Sequence, residues 1–372
     1  MVTQKTNTPG VYTYQLKDGS TRYMVSFRDP TNKQVLKRGF TRKIDAKQYR
    51  ERKSVEIQDN RYIQPKKLRV KVSELALEWL DHKEATRKPS TYQTYRSRWE
   101  THVKPRWGRT EIGKITVRDV QQWVNTLHRG TDSQKPLSAS LISDCHGVLV
   151  GILDLAVTNG DLHVNPIKNK VELPKRLATE KRYLTPQQVK QLAEASTHPE
   201  IIYTLVYTGL RWGELTALRV KSVDFEKRRI TVGSTITQLR DYRRYSENPP
   251  KTWEVRSVPF PASLEPILRK QCERKSGEDY LFMSPNGGHL HPPSSQTGWF
   301  AVALKKAGLP HMKVHDLRHT TASLTISAGA NVKVVQRLLG HKSAAMTLDV
   351  YAELFEDDLD TVADSLERVI TI

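Results

Sequence analysis

Two basic, proline-bearing stretches cut this 372-residue chain into segments whose patterning differs. One is Gln64-Pro65-Lys66-Lys67, within residues 60–69; the other is Pro174-Lys175-Arg176, within residues 169–182. No single hydrophobic period runs through the segments, so the chain must build several cores, in keeping with about 150 residues per domain. The expected organisation is residues 1–67, 68–172 and 173–372. The expected class is mainly α with small β elements, an α+β multidomain chain.

The first segment reads as three strands and a helix. Val11–Leu16, Thr21–Arg28 and Val35–Phe40 are strand-like. Lys17-Asp18-Gly19-Ser20 and Asp29-Pro30-Thr31-Asn32 carry turn chemistry between them. Thr41 is the expected N-cap of a helix through Ala46, Tyr49 and Val55. Arg22, Arg28, Lys37 and Arg38 fall on the strands, and Arg42 and Lys43 open the helix. A three-stranded sheet with such a basic face suits a DNA groove.

The second segment is helical by period. Val72, Leu75, Ala76, Trp79 and Leu80 mark one face. Ser90 is the expected cap of a helix through Tyr92, Tyr95, Trp99 and Val103, with Pro105 as its stop. Thr116 and Ser138 are expected to cap two more, the last closed by Asn159-Gly160. The aromatics recur at helical spacing and are assigned to the core. In the third segment Thr185-Pro186 starts a helix. A short β region is expected over Phe225–Val232 and around Lys251–Pro259.

Charge narrows the function. The chain carries a net +20, of which residues 1–67 hold +10 and residues 181–349 hold +11, whereas residues 350–372 hold −6. Such a balance fits a polyanionic partner, nucleic acid first. Unbroken apolar runs such as Ile201–Val206 and Val148–Leu153 are too short to span a bilayer, and Met1–Pro9 has no apolar signal core, so neither membrane nor secretion is expected. Two cysteines, Cys145 and Cys272, suit a reducing cytoplasm. Neither a glycine-rich phosphate loop nor a cluster of metal-binding carboxylates is present, and no cofactor is expected.

The chemistry-bearing residues lie in the third segment. Arg211 sits in Thr208-Gly209-Leu210-Arg211-Trp212-Gly213-Glu214-Leu215, and Lys251 in Pro250-Lys251-Thr252. His315 and Arg318 share a helical face in His315-Asp316-Leu317-Arg318-His319-Thr320. His341 follows Leu338-Leu339-Gly340, and Tyr351 stands further on. Each piece alone is common: a lone arginine is usually an ion-pair partner, and a lone tyrosine usually packing. In this order, over about residues 183–355, they resemble the tyrosine recombinases, or phage-type integrases. The step from His341 to Tyr351 is one residue longer than that family's commonest spacing, a variant similar to integrases of temperate actinobacterial phages.

The resemblance implies a site-specific DNA recombinase with an arm-type DNA-binding domain, a helical core-binding domain and a mixed α/β-hairpin catalytic domain, the last two clamping double-stranded DNA. It implies that Arg211 and Arg318 hold the scissile phosphate, that Tyr351 attacks it, and that His315 takes the tyrosine proton. It makes Lys251 the acid for the departing 5′ oxygen and His341 a donor to a phosphate oxygen. No metal is implied. Glu214 and His319 are bracing candidates. The implied partners are core and arm DNA sites, a homotetramer, a host DNA-bending factor and an excisionase, at the nucleoid of a bacterial cytoplasm. Leu359, Val362, Ala363 and Leu366, behind an acidic run, form an apolar stripe at helical spacing, either packed on its own domain or, as the resemblance implies, exchanged onto a neighbouring protomer. The alternatives are a conjugative-transposon integrase and, in a different class, a non-catalytic DNA-binding regulator.

Overall fold

The computed structural model describes residues 3–59, 61–176, 182–238, 245–248, 255–285 and 287–352. They fall into two compact units, Met1–Leu177 and Ala178–Ile372.

The first unit opens with β1 (Thr3–Lys5), β2 (Val11–Gln15), β3 (Thr21–Arg28) and β4 (Gln34–Phe40), an antiparallel sheet in chain order. Three strands are expected and four are found. β1 is too short and polar to show alternation, and it forms by pairing Thr3 with Tyr14 and Lys5 with Tyr12. The turn before β3 closes on Asp18, which accepts from the Ser20 N–H at 2.9 Å. Asp29 likewise accepts from the N–H groups of Thr31 and Lys33. α1 (Lys43–Gln58) packs Ala46 on Val11 and Val25, flanked by Tyr23, Phe27, Phe40 and Tyr49. Its N-cap is Arg42, not Thr41, with no capping side chain. Arg42 instead forks onto Asp45 at 2.9 and 2.6 Å, and that acid in the first turn complements the helix dipole.

Helical structure follows. α2 (Val72–Thr86) leads to α3 (Pro89–Arg98), which starts on Pro89 rather than from a Ser90 cap. Pro105 does not stop the next stretch. A π-helical turn at Trp99–Val103 runs into α4 (Lys104–Trp107), where Pro105 lies in the first turn and its missing N–H leaves no bond unmade. Trp99, Val103 and Trp107 are thereby all buried. α5 (Val117–Arg129) and α6 (Ala139–Thr158) are capped by Thr116 and Ser138 as expected, and Gly160 closes α6 at φ 69°. Taken whole, α6 is long and apolar enough to cross a membrane, a point that counting unbroken runs overlooks. Its Ile142, Val148, Leu149, Ile152 and Leu153 instead form the centre of the helical core with Val72, Trp79, Trp107 and Trp123.

The second unit contains α7 (Pro186–Ala195), α8 (Pro199–Thr208) and α9 (Trp212–Ala217). The strands β5 (Val223–Asp224), β6 (Arg229–Val232), β7 (Thr235–Gln238), β8 (Tyr245–Asn248) and β9 (Arg256–Pro259) follow. β5, β6 and β9 make one antiparallel sheet, and β7 and β8 a hairpin. The strand expected from Phe225 starts only at Arg229, because Arg228 turns the chain at φ 49°. Next come α10 (Glu265–Cys272), α11 (Trp299–Lys306), α12 (Asp316–Ser327), α13 (Val332–Leu339) and α14 (Ala344–Tyr351). A large core joins α7, α8, the three-stranded sheet, α10 and α11. A smaller one, Ala322, Ile326, Val335, Leu339 and Tyr351, ties α12, α13 and α14 together.

Candidate active site

Three helix ends build the site. Gly209 ends α8 at φ 62°, Gly340 ends α13 at φ 62°, and α12 begins just after His315. Both glycines adopt the left-handed conformation that terminates a helix and turns its last carbonyls outward. Arg318, 3% exposed, collects those carbonyls: Nη1 donates to Gly209 O at 2.6 Å and Nη2 to Leu339 O. Arg211 is the N-cap of α9, and its Nη2 reaches Gly340 O at 3.5 Å. The two guanidinium groups thus rest on neighbouring carbonyls of one turn.

Glu214 braces Arg211. It accepts from the Arg211 N–H and from Arg211 Nη1, both at 2.9 Å. Its other partner is Arg256 on β9, which donates Nη1 and Nη2 at 2.9 and 2.6 Å. Burial would raise the Glu214 pKa, but the Arg256 and Arg211 bonds outweigh it and bring it to about 2. Sequence reasoning missed Arg256. The available signal is its place two residues before buried Val258, on the inward face of a strand.

Tyr351 is 1% exposed, and burial pushes its pKa up to about 12 despite Arg318 nearby. Its Oη is hydrogen-bonded to His319 Nδ1 at 2.7 Å. The His341 ring lies nearly parallel to the Tyr351 ring, 6.5 Å between centroids. Burial, then Arg318 and Arg211, lower the His341 pKa to about 4, and its Nδ1 pairs with Thr347 Oγ1 at 2.9 Å. His315 is lowered by burial and by Arg318. Burial and Arg211 pull Arg318 down to about 9, which leaves it protonated at neutral pH. The site therefore presents three arginines against one buried carboxylate, with His315 and His341 neutral, and so attracts an anion.

Of the expected residues, Arg211, His315, Arg318, His341 and Tyr351 come together here. Lys251 and the stripe from Leu359 to Leu366 lie outside the described residues. Arg22, Arg28, Lys37, Arg38, Arg42 and Lys43 lie in the first unit, and the sheet register divides the strand residues. Arg38 pairs with Met24 and so shares a face with Arg22 and Arg28, whereas Lys37 pairs with Val25, which faces α1. Among the described residues no three His, Cys, Asp or Glu side chains converge as metal ligands.

Known proteins resemble parts of both units. The phage integrase family model matches residues 182–357, and the model of the phage integrase N-terminal SAM-like domain matches residues 71–128. A XerC-like tyrosine recombinase of Caldanaerobacter subterraneus is 27% identical, covering 76% of this chain and 78% of its own. A prophage phiRv2 integrase of Mycobacterium tuberculosis is 27% identical over 74% of this chain and 72% of its own. The ICEBs1 integrase of Bacillus subtilis is 27% identical over 76% and 79%. Among solved structures, the Tn1549 transposon integrase in complex with a circular intermediate DNA superposes with a TM-score of 0.66 at 23% identity, covering 81% of this chain and 99% of that one. A lambda integrase dimer bound to a core site gives 0.56 at 18% identity, over 93% and 96%. With two matching models and relatives spanning most of its length, the chain belongs to the phage integrase family of tyrosine recombinases, enzymes that cut and rejoin DNA.

Proposed function

We propose that this chain integrates and excises a mobile genome by cutting DNA through Tyr351, and that Arg211 and Arg318 hold the scissile phosphate. The observation that carries this reading is the seating of both guanidinium groups on the carbonyls of residues 339 and 340, in the same cluster that buries Tyr351. Guanidinium offers phosphate a planar fork, and a preorganised fork favours the pentavalent transition state, whose oxygens carry more charge than the ground state. His341 donates to a non-bridging oxygen, and Lys251 protonates the departing 5′ oxygen. The cations do the work of charge neutralisation, so the reaction needs no metal. A 3′-phosphotyrosyl bond conserves the energy of the broken linkage, and religation needs no ATP.

Residues 1–67 form the arm-binding module, residues 68–172 the core-binding domain and residues 173–372 the catalytic domain with its exchange segment. The working assembly is a homotetramer on DNA, in the host bacterial cytoplasm at the nucleoid, aided by a host DNA-bending factor and an excisionase. A phage or a conjugative element fits equally as the source, since relatives include a prophage integrase and the ICEBs1 integrase.

The test is a nicked suicide duplex carrying the core site, resolved on a denaturing gel. Wild-type protein yields a covalent adduct without added metal, and Tyr351→Phe yields none. An adduct in Tyr351→Phe, or activity lost in EDTA and restored by Mg²⁺, overturns the assignment. Removal of residues 1–67 leaves core cleavage and abolishes arm-site binding; unchanged arm binding refutes the bridging role.

A further inference from the structure

We infer that His319, rather than His315, is the catalytic group that takes the proton from Tyr351 during cleavage and returns it during religation. The inference rests on Tyr351 as the nucleophile. Its geometric basis is the 2.7 Å bond between Tyr351 Oη and His319 Nδ1, which links the nucleophilic oxygen directly to a titratable nitrogen.

Tyr351 is 1% exposed, so solvent has little access to its hydroxyl and the proton must pass to a neighbouring group. Burial keeps that hydroxyl protonated at neutral pH, and a protonated phenol donates to a neutral imidazole nitrogen. The transfer uses the tautomer in which Nδ1 accepts from Oη and the ring proton sits on Nε2. The placement follows from α12. His319 comes directly after Arg318, whose guanidinium is pinned on Gly209 and Leu339, so the helix that positions the phosphate clamp also positions the base. The His315 ring stands 5.7 Å from that of His319 and nearly perpendicular to it.

The chemistry balances within the site. Oη forms its bond to phosphorus as the bond from phosphorus to the 5′ oxygen breaks. The Oη proton moves to Nδ1, and the 5′ oxygen takes a separate proton from the general acid. His319 is then an imidazolium, beside Arg318 and His315 on its own helix and within interaction range of His341.

The test is single-turnover cleavage by the full chain on two suicide duplexes, one with an ordinary scissile phosphate and one with a 5′-bridging phosphorothiolate, whose leaving thiolate needs no proton. On ordinary DNA, His319→Asn, which keeps a polar group near Nδ1 but cannot take a proton, is expected to cleave about 100-fold slower or worse. The defect should persist on the phosphorothiolate, whereas a Lys251→Ala defect should be relieved. DNA affinity and thermal unfolding check that the variant is folded, and His319→Gln serves if Asn is not tolerated. A His319→Asn rate within threefold of wild type, or its rescue by the phosphorothiolate, overturns the inference. An adduct formed by Tyr351→Phe would instead overturn the nucleophile assignment beneath it.

Discussion

Arg256 donates both terminal nitrogens to Glu214, at 2.9 and 2.6 Å, and so closes a chain of charge that runs from β9 through a buried carboxylate to the Arg211 guanidinium. A carboxylate that is 3% exposed is costly unless its lone pairs are filled, and here four donors fill them. The site's geometry accordingly depends on a strand that contributes nothing to the sequence motif.

Removing the charge from that carboxylate should therefore damage both fold and chemistry. Glu214→Gln leaves two arginines without their counter-charge, and loss of one partner from a buried ion network typically costs about 3–5 kcal/mol. The expected result is a clearly lower unfolding midpoint together with slower suicide-substrate cleavage. A midpoint equal to wild type would show that the network is dispensable.

Acid should expose the same group. The Glu214 pKa falls from 4.5 to about 2 on folding, so its contribution is complete above about pH 4.5 and disappears as pH drops through about 2. A shift of that size corresponds to roughly 3 kcal/mol. Denaturant unfolding at pH 7, 4.5 and 3 should show wild-type stability declining over the acid part of that range, and Glu214→Gln should decline less. His341 acts with the same sign at higher pH. Its folded pKa is lowered from 6.5 to about 4, so protonation below about pH 6.5 favours the unfolded chain.

Gly213 tests how closely β7 approaches α9. A Cβ at this position would stand 2.5 Å from Ile236 O and 2.6 Å from Thr235 Oγ1, and the first is backbone that cannot swing aside. Gly213→Ala should destabilise by about 1–3 kcal/mol and slow cleavage by displacing Arg211 and Glu214. Gly233→Ala, where nothing lies within 4 Å, should be near neutral in a parallel thermal melt.

The sheet register makes a prediction about DNA. Arg38 shares the face of Arg22 and Arg28, and Lys37 lies on the α1 side. Arg38→Ala should weaken arm-site binding and reduce the slope of log K against log salt by about one unit, the effect of one lost phosphate contact. Lys37→Ala should change the slope much less. Equal effects measured by salt titration would mean that the DNA does not lie on that face.

Local signals were readable where local chemistry decides. Thr116, Ser138 and Thr185 cap helices because their hydroxyls meet backbone N–H groups a few residues on. Gly209 and Gly340 end helices because their backbones turn left-handed. Pro105 has the local signature of a helix stop but is not one, because a π turn ahead of it can absorb a proline, and residue order does not reveal that turn.

By itself, then, the sequence determined the helical segments, their principal breaks, the basic first module and the identities in the ordered Arg, His, Arg, His, Tyr set. Those properties follow from short-range capping, periodicity and composition. Only the tertiary structure decided which groups touch. It brought Arg256 to Glu214 across 42 positions and His319 to Tyr351 across 32. Such pairings arise when separate helices and strands bury a shared core, and a buried polar atom must then bond to whatever that packing brings within reach.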